Sequence, residues 1–240
     1  MSSVNPILSR LVDPVLGYKV FNIEQNLLDF VEEQVLKSIN QACRKYQLPC
    51  TASSLSSVLQ FLQQSPLYSG FTLADRTIPH DIVSDNSKYL RDQIGLSLGM
   101  TPDYLLNHNL YYRIVRTDVD SDISVVHRDI YFHNILPAWH PNPRILDLKL
   151  WIPLYLPSHS AIGVVPGSHL DAEYSDCSYE YLNGKKCSFK CSLNSAELTG
   201  LDVPVGSALL FPSSLLHGSL SSPYRAPIRL SAEFTLGFSI

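Results

Sequence analysis

Three residues of this 240-residue chain are of types and spacings that can do metal chemistry: His127, Asp129 two positions on, and His217 far downstream. Two imidazoles and one carboxylate can occupy one face of an octahedral iron(II), leaving three positions open for small molecules. That is a catalytic arrangement rather than a structural one. In a β-strand, residues two apart project from the same face, so His127 and Asp129 can converge on one ion while Arg128 points away. The third ligand then has to come from elsewhere in the fold. With eight histidines in the chain, a bare H-x-D is a weak signal, and the surrounding residues decide its weight.

Those surroundings form an ordered series. Leu148 to Tyr155 reads LKLWIPLY, Ala161 to His169 reads AIGVVPGSH, and Val205 to Pro212 reads VGSALLFP. Leu216-His217-Gly218-Ser219 follows, and the series closes on Arg229-Leu230-Ser231. In order and residue type it resembles the phytanoyl-CoA dioxygenase-like family of iron(II)/2-oxoglutarate oxygenases, over roughly residues 110 to 238. The resemblance implies that His127, Asp129 and His217 hold iron(II). It implies that Arg229, assisted by Ser231, holds the distal carboxylate of 2-oxoglutarate. A guanidinium fork suits a carboxylate bidentately, and Ser231 shares the strand face of Arg229. The gap from His217 to Arg229 is about one residue longer than the family habit, which leaves Arg225 in the same loop as a competing candidate. The loop Leu156 to Ser160 also departs from the family, and Pro166-Gly167-Ser168-His169 matches a family turn of architectural character.

The implied reaction follows from the count of positions. The co-substrate takes two of the three open ones and dioxygen the last, giving succinate, carbon dioxide and an oxidised substrate. Asp129 favours hydroxylation over halogenation, because related halogenases leave the carboxylate position open for halide. Desaturation and ring formation stay open. Arg113 and Lys149 lie in strand-like runs and are candidates to meet an anionic substrate or the near carboxylate of the co-substrate, or else sit on an exposed face. Tyr131 and Trp151 are candidates to line the pocket, although aromatic strand residues are more often core.

Composition bounds the alternatives. The chain is 45% apolar and 17% charged, and 18 basic against 22 acidic residues give 18 − 22 = −4. No basic block or basic-aromatic alternation occurs, so a nucleic-acid partner is not expected. No apolar run reaches the length of a membrane span, and the N-terminus shows no secretory pattern, so the expectation is a cytoplasmic enzyme of a small-molecule substrate and O2. Five cysteines form no CxxC pair and are expected to be reduced; Cys177, Cys187 and Cys191 with His169 are irregularly spaced for zinc.

Periodicity supplies the elements that must position these residues. Ile23 to Leu48 carries apolar residues at helical spacing, with weaker helical patterns over Ser53 to Gln64 and Asp85 to Leu98. After Pro102 the character changes. Tyr111 to Arg116, Ile123 to Val126, Ile145 to Tyr155, Ala161 to Val165, Ser207 to Phe211 and Ile228 to Phe238 read as strands. The expected fold is mostly β: a double-stranded β-helix (jelly roll, cupin-like) with buttressing N-terminal helices, as a single domain over 1–240. Residues 1–105 are mainly helical support and 106–240 form the jelly-roll core. Residues 170–200, with Asn183-Gly184 at a turn, read as a surface excursion, either a lid over the site or a solvated hairpin. Two other functions keep the same fold: a non-catalytic jelly-roll binding protein, and a metal-dependent cupin enzyme without 2-oxoglutarate, which would not need Arg229-x-Ser231.

Overall fold

The structure is a computed structural model, and it describes residues 6–48, 54–64, 75, 78, 86–99, 105–115, 124–130, 145–156, 162–171, 177–182, 186–191, 193, 197–220 and 228–239. After a short helix α1 (Leu8–Leu11), the helical part holds α2 (Gln25–Lys45), α3 (Leu55–Gln64) and α4 (Ser87–Leu98). Helix α2 buries Leu27, Leu28, Val31, Val35, Ile39, Ala42 and Cys43, a stripe at i, i+4, i+8 spacing that faces one way. Helix α4 stops at Gly99, whose φ of 67° places it in the left-handed region where glycine closes a helix.

Ten strands occur among the described residues: β1 (Lys19–Asn22), β2 (Leu105–Val115), β3 (Ile145–Tyr155), β4 (Ile162–Val164), β5 (Cys177–Leu182), β6 (Lys186–Cys191), β7 (Thr199–Leu201), β8 (Ser207–Pro212), β9 (His217–Ser219) and β10 (Arg229–Ser239). They form a five-stranded sheet in the order β1-β8-β3-β10-β2, a three-stranded sheet β7-β4-β9 and the hairpin β5-β6. Every pairing is antiparallel.

The two-residue period of the strands divides the large sheet into two faces. On the outer face Leu110, Tyr112, Ile114, Leu148, Leu150, Ile152, Ala208, Leu210, Leu230, Ala232, Phe234, Leu236 and Phe238 meet the apolar stripes of the helices in one core. Each large apolar side chain among them contributes about 1.5–3 kcal/mol on burial, which is what holds α3 and α4, both too short to be stable alone. On the inner face Trp151, Leu209 and Phe211 meet Ile162, Val164 and Leu201 of the small sheet in a second cluster. Other inner positions carry Arg113, Lys149, Arg229, Ser231, Glu233 and Thr235.

Two local expectations change, and a third, for 170–200, takes its hairpin form. Ser124 to Val126 is not a strand: His127 makes an isolated bridge to His217 and Asp129 lies in a turn. The helical N-terminal part donates a strand, β1, to the edge of the large sheet beside β8. The 170–200 stretch contains regular structure, with Cys177 opposite Cys191 and Leu182 opposite Lys186 across a hairpin whose strands flank Asn183-Gly184.

Candidate metal and anion site

The bridge between His127 and His217 brings the two imidazoles together. Each backbone N–H donates to the other's carbonyl, at 2.9 and 3.0 Å, and the ring centroids lie 4.4 Å apart. Nδ1 of His127 lies 2.8 Å from the Val125 carbonyl and Nδ1 of His217 lies 3.0 Å from the Leu215 carbonyl. A carbonyl only accepts, so each Nδ1 carries a proton and Nε2 is the ring atom through which a metal would be bound. Both Nε2 atoms face Asp129, at 3.7 Å from Oδ1 for His127 and 3.6 Å from Oδ2 for His217. One ligand atom from each residue lies within 4.8 Å of the others, and all three residues are buried. Burial, and secondarily the neighbouring His217, push the His127 pKa down to about 4, against the opposing pull of Asp129 and the Val125 carbonyl. The His127–Asp129 approach is therefore that of a neutral imidazole beside a carboxylate rather than an ion pair. Two imidazoles and a carboxylate, the rings oriented from behind by carbonyls, fit a divalent metal of the iron type.

Arg128 points away from this cluster, as strand alternation would also have it. Its Nη2 donates to the Ser168 carbonyl at 2.9 Å and the Asp171 carbonyl at 2.7 Å. The Ser168 hydroxyl in turn accepts the N–H of Leu216 at 2.9 Å. The Pro166–His169 turn thus braces both segments that carry the histidines. Its Gly167, at φ 79°, supplies the left-handed residue the turn requires.

Arg229 opens β10, and its Nη2 donates to the Ser219 hydroxyl at 2.5 Å. Ser219 lies two residues beyond His217, and its hydroxyl is 2.9 Å from that of Ser124. Arg229 lines a pocket, open to solvent, together with Arg113, Ser124, His127, Trp151, His217, Ser219, Ser231 and Glu233. Burial first, then the Arg113 guanidinium, pull the Arg229 pKa down to about 10, while Glu233 opposes the shift. Arg229 therefore keeps its charge at neutral pH. Two guanidiniums that disfavour each other's charge in a recessed pocket make an environment that an anion relieves.

The chain shares a fold with the crystal structure of EvdO2 from Micromonospora carbonacea var. aurantiaca, at a TM-score of 0.51 and 11% identity over 99% of this chain and 92% of that one. The likeness is one of fold. The EvdO2 structure complexed with 2-oxoglutarate matches at the same TM-score, 10% identity and the same coverage. EctD from S. alaskensis with 2-oxoglutarate and 5-hydroxyectoine lies further off, at a TM-score of 0.46 and 16% identity over 97% of this chain and 75% of that one. No protein-family model and no curated protein matches the chain.

The structure thus gathers His127, Asp129, His217, Arg229, Ser231, Arg113, Lys149 and Trp151 on one side of the large sheet. Tyr131 and Arg225 lie outside the described residues. Ser231 is buried opposite Arg113, but the hydroxyl bonded to Arg229 is that of Ser219. Lys149 is not on an exposed face: it is 7% exposed, donates to Thr235 Oγ1 at 2.9 Å and stands 3.7 Å from Asp129 Oδ2. The residues that sequence reasoning missed are Ser219, Ser124, Glu233 and Thr235. Only Ser219 left a usable signal, its two-residue spacing from His217. Among the described residues no helix is long and apolar enough to cross a membrane.

Proposed function

We propose that the chain is an iron(II)/2-oxoglutarate-dependent dioxygenase, of the phytanoyl-CoA dioxygenase-like kind, that hydroxylates a small organic metabolite with succinate and carbon dioxide as co-products. The observation that carries this reading is that the two imidazoles clustered with Asp129 line the same pocket as a buried arginine. His127, Asp129 and His217 would hold iron(II), which when bound supplies the activation of dioxygen. Arg229 would take the distal carboxylate of 2-oxoglutarate through two charge-assisted hydrogen bonds, with Ser231 as a further donor. Ser219 keeps the guanidinium aimed, and Arg113 adds positive potential beside it. Trp151 and Ile162 form an apolar wall that limits water beside the ligand set. Tyr131 and Lys149 are further candidates to face the substrate or co-substrate. The two packed antiparallel sheets are read as the halves of a double-stranded β-helix.

The test is anaerobic reconstitution with iron(II) and 2-oxoglutarate, followed by oxygen and a panel of small metabolites. Succinate release with a product one oxygen atom heavier is expected for at least one class of substrate. Iron-dependent oxidation without succinate would replace this reading by a cupin enzyme, and ligand binding without turnover by a binding protein.

A further inference from the structure

The inner face of the large sheet carries a lysine where the fold alone would call for an apolar residue. Lys149 sits on β3 between Phe211 of β8 and Thr235 of β10, and its flanking residues Leu148 and Leu150 point into the opposite core. Lysine is seldom this buried unless its charge is paired. Its Nζ donates to Thr235 Oγ1 at 2.9 Å and stands 3.7 Å from Asp129 Oδ2. That is the same oxygen that lies 3.6 Å from His217 Nε2. The ammonium therefore shares its carboxylate with the place where a metal ion would sit.

We propose that Lys149 is a resident counter-cation of the metal site. It neutralises Asp129 in the metal-free protein, weakens the binding of a divalent ion, and makes that binding depend on an accompanying anion. The inference rests on the reading of His127, Asp129 and His217 as metal ligands. Its physical basis is the poor screening of buried charges: a fixed positive charge against the only anionic ligand opposes a second cation far more strongly than the same pair at the surface would. An anion bound beside the ion offsets that opposition, so ion and anion promote each other's binding by the same factor. Thr235 keeps the ammonium in place by accepting one of its hydrogen bonds.

The sign of one measurement separates this role from a merely structural one. If Lys149 only held Asp129 in position, removing it would loosen the ligand set and weaken metal binding. As a counter-cation, its removal tightens binding. Mn(II) is a redox-stable probe whose free concentration is read from its electron paramagnetic resonance signal, with and without 2-oxoglutarate. Lys149→Met is expected to bind Mn(II) at least about tenfold more tightly than the native protein without 2-oxoglutarate, or about 1.4 kcal/mol. Lys149→Arg, which keeps the charge, is expected to stay within about threefold of the native value. The tightening of Mn(II) binding by 2-oxoglutarate should shrink in Lys149→Met. Should that variant fail to fold, Lys149→Gln, which retains a donor for Thr235, carries the same expectation. Equal or weaker Mn(II) binding by the folded neutral variant overturns the proposal, whereas absence of Mn(II) binding by the native protein overturns the metal-site reading beneath it.

Discussion

Arg229 and Ser219 are joined by a 2.5 Å hydrogen bond from the guanidinium to the hydroxyl, and Ser219 stands two residues from His217 on β9. Ser219 also exchanges hydrogen bonds with Ser124, its hydroxyl accepting the Ser124 N–H at 3.1 Å and its own N–H donating to the Ser124 hydroxyl at 3.1 Å. Two serines therefore tie the anion end of the pocket to both histidine segments. Ser219→Ala should weaken 2-oxoglutarate binding about tenfold, the scale of one hydrogen bond to a charged group, while Mn(II) affinity holds. Undiminished co-substrate affinity in a calorimetric titration would show that the guanidinium is aimed without Ser219.

Arg229→Ala removes the charge itself, and its effect should be larger. Hydrogen bonds to a charged group are worth about 1.5–3 kcal/mol each, so 2-oxoglutarate binding should fall by at least about tenfold. Arg225→Ala, four residues earlier in the sequence, is the matched control. Loss of binding in the Arg225 variant alone would transfer the carboxylate to that residue, and loss in neither would remove 2-oxoglutarate from the site.

His217→Ala takes away one of two imidazoles and should abolish Mn(II) binding in the micromolar range together with metal-dependent turnover. The fold should persist, since the β9 backbone bridge to His127 does not use the side chain. Turnover at the native rate would strike His217 from the ligand set. Asp129→Ala should lose hydroxylation for the same reason, the loss of the anionic ligand.

Acid should destabilise the metal-free protein through His127. The folded state holds its pKa at about 4 by burial, below the ordinary 6.5 of the unfolded chain. As pH falls below about 6.5 the unfolded chain takes up a proton that the folded chain refuses. Stability is thus complete above that value and is lost as pH falls towards 4, by on the order of 3 kcal/mol. Urea titrations of the native protein and His127→Gln across this range should diverge, with the variant falling less steeply. Parallel curves would mean that the imidazole is not kept neutral by its burial.

Where a pattern was long and one-sided, the elements were legible beforehand. Helix α2 follows its apolar stripe, and β3 spans Ile145–Tyr155 as its composition indicates. Strand β1 escaped notice because four mostly exposed residues at a sheet edge carry no alternation. The β-branched run before His127 reads as a strand but, among the described residues, meets the three-residue β9 through a single bridge. The candidate ligands His127, Asp129 and His217 were visible because residue type and the H-x-D spacing are local features of the chain. Ser219, Thr235 and the true setting of Lys149 were not, because those depend on which strand lies alongside: Thr235 matters only once the register sets it opposite Lys149. A lysine in an alternating strand is ordinarily read as solvent-facing, and nothing local reveals that this sheet is covered on both sides.

The alternation along β10 has a consequence for how such a protein can diversify. Positions 230, 232, 234, 236 and 238 are locked into close packing, where truncating Phe234 to alanine would cost about 3–5 kcal/mol. Positions 231 and 233, one step away on the same strand, look into an open pocket and answer for little of that packing. Because the two sets never share a face, ligand preference can drift at 231 and 233 while folding is policed at 232 and 234. One strand thus carries a pocket-facing text and a packing one, interleaved residue by residue.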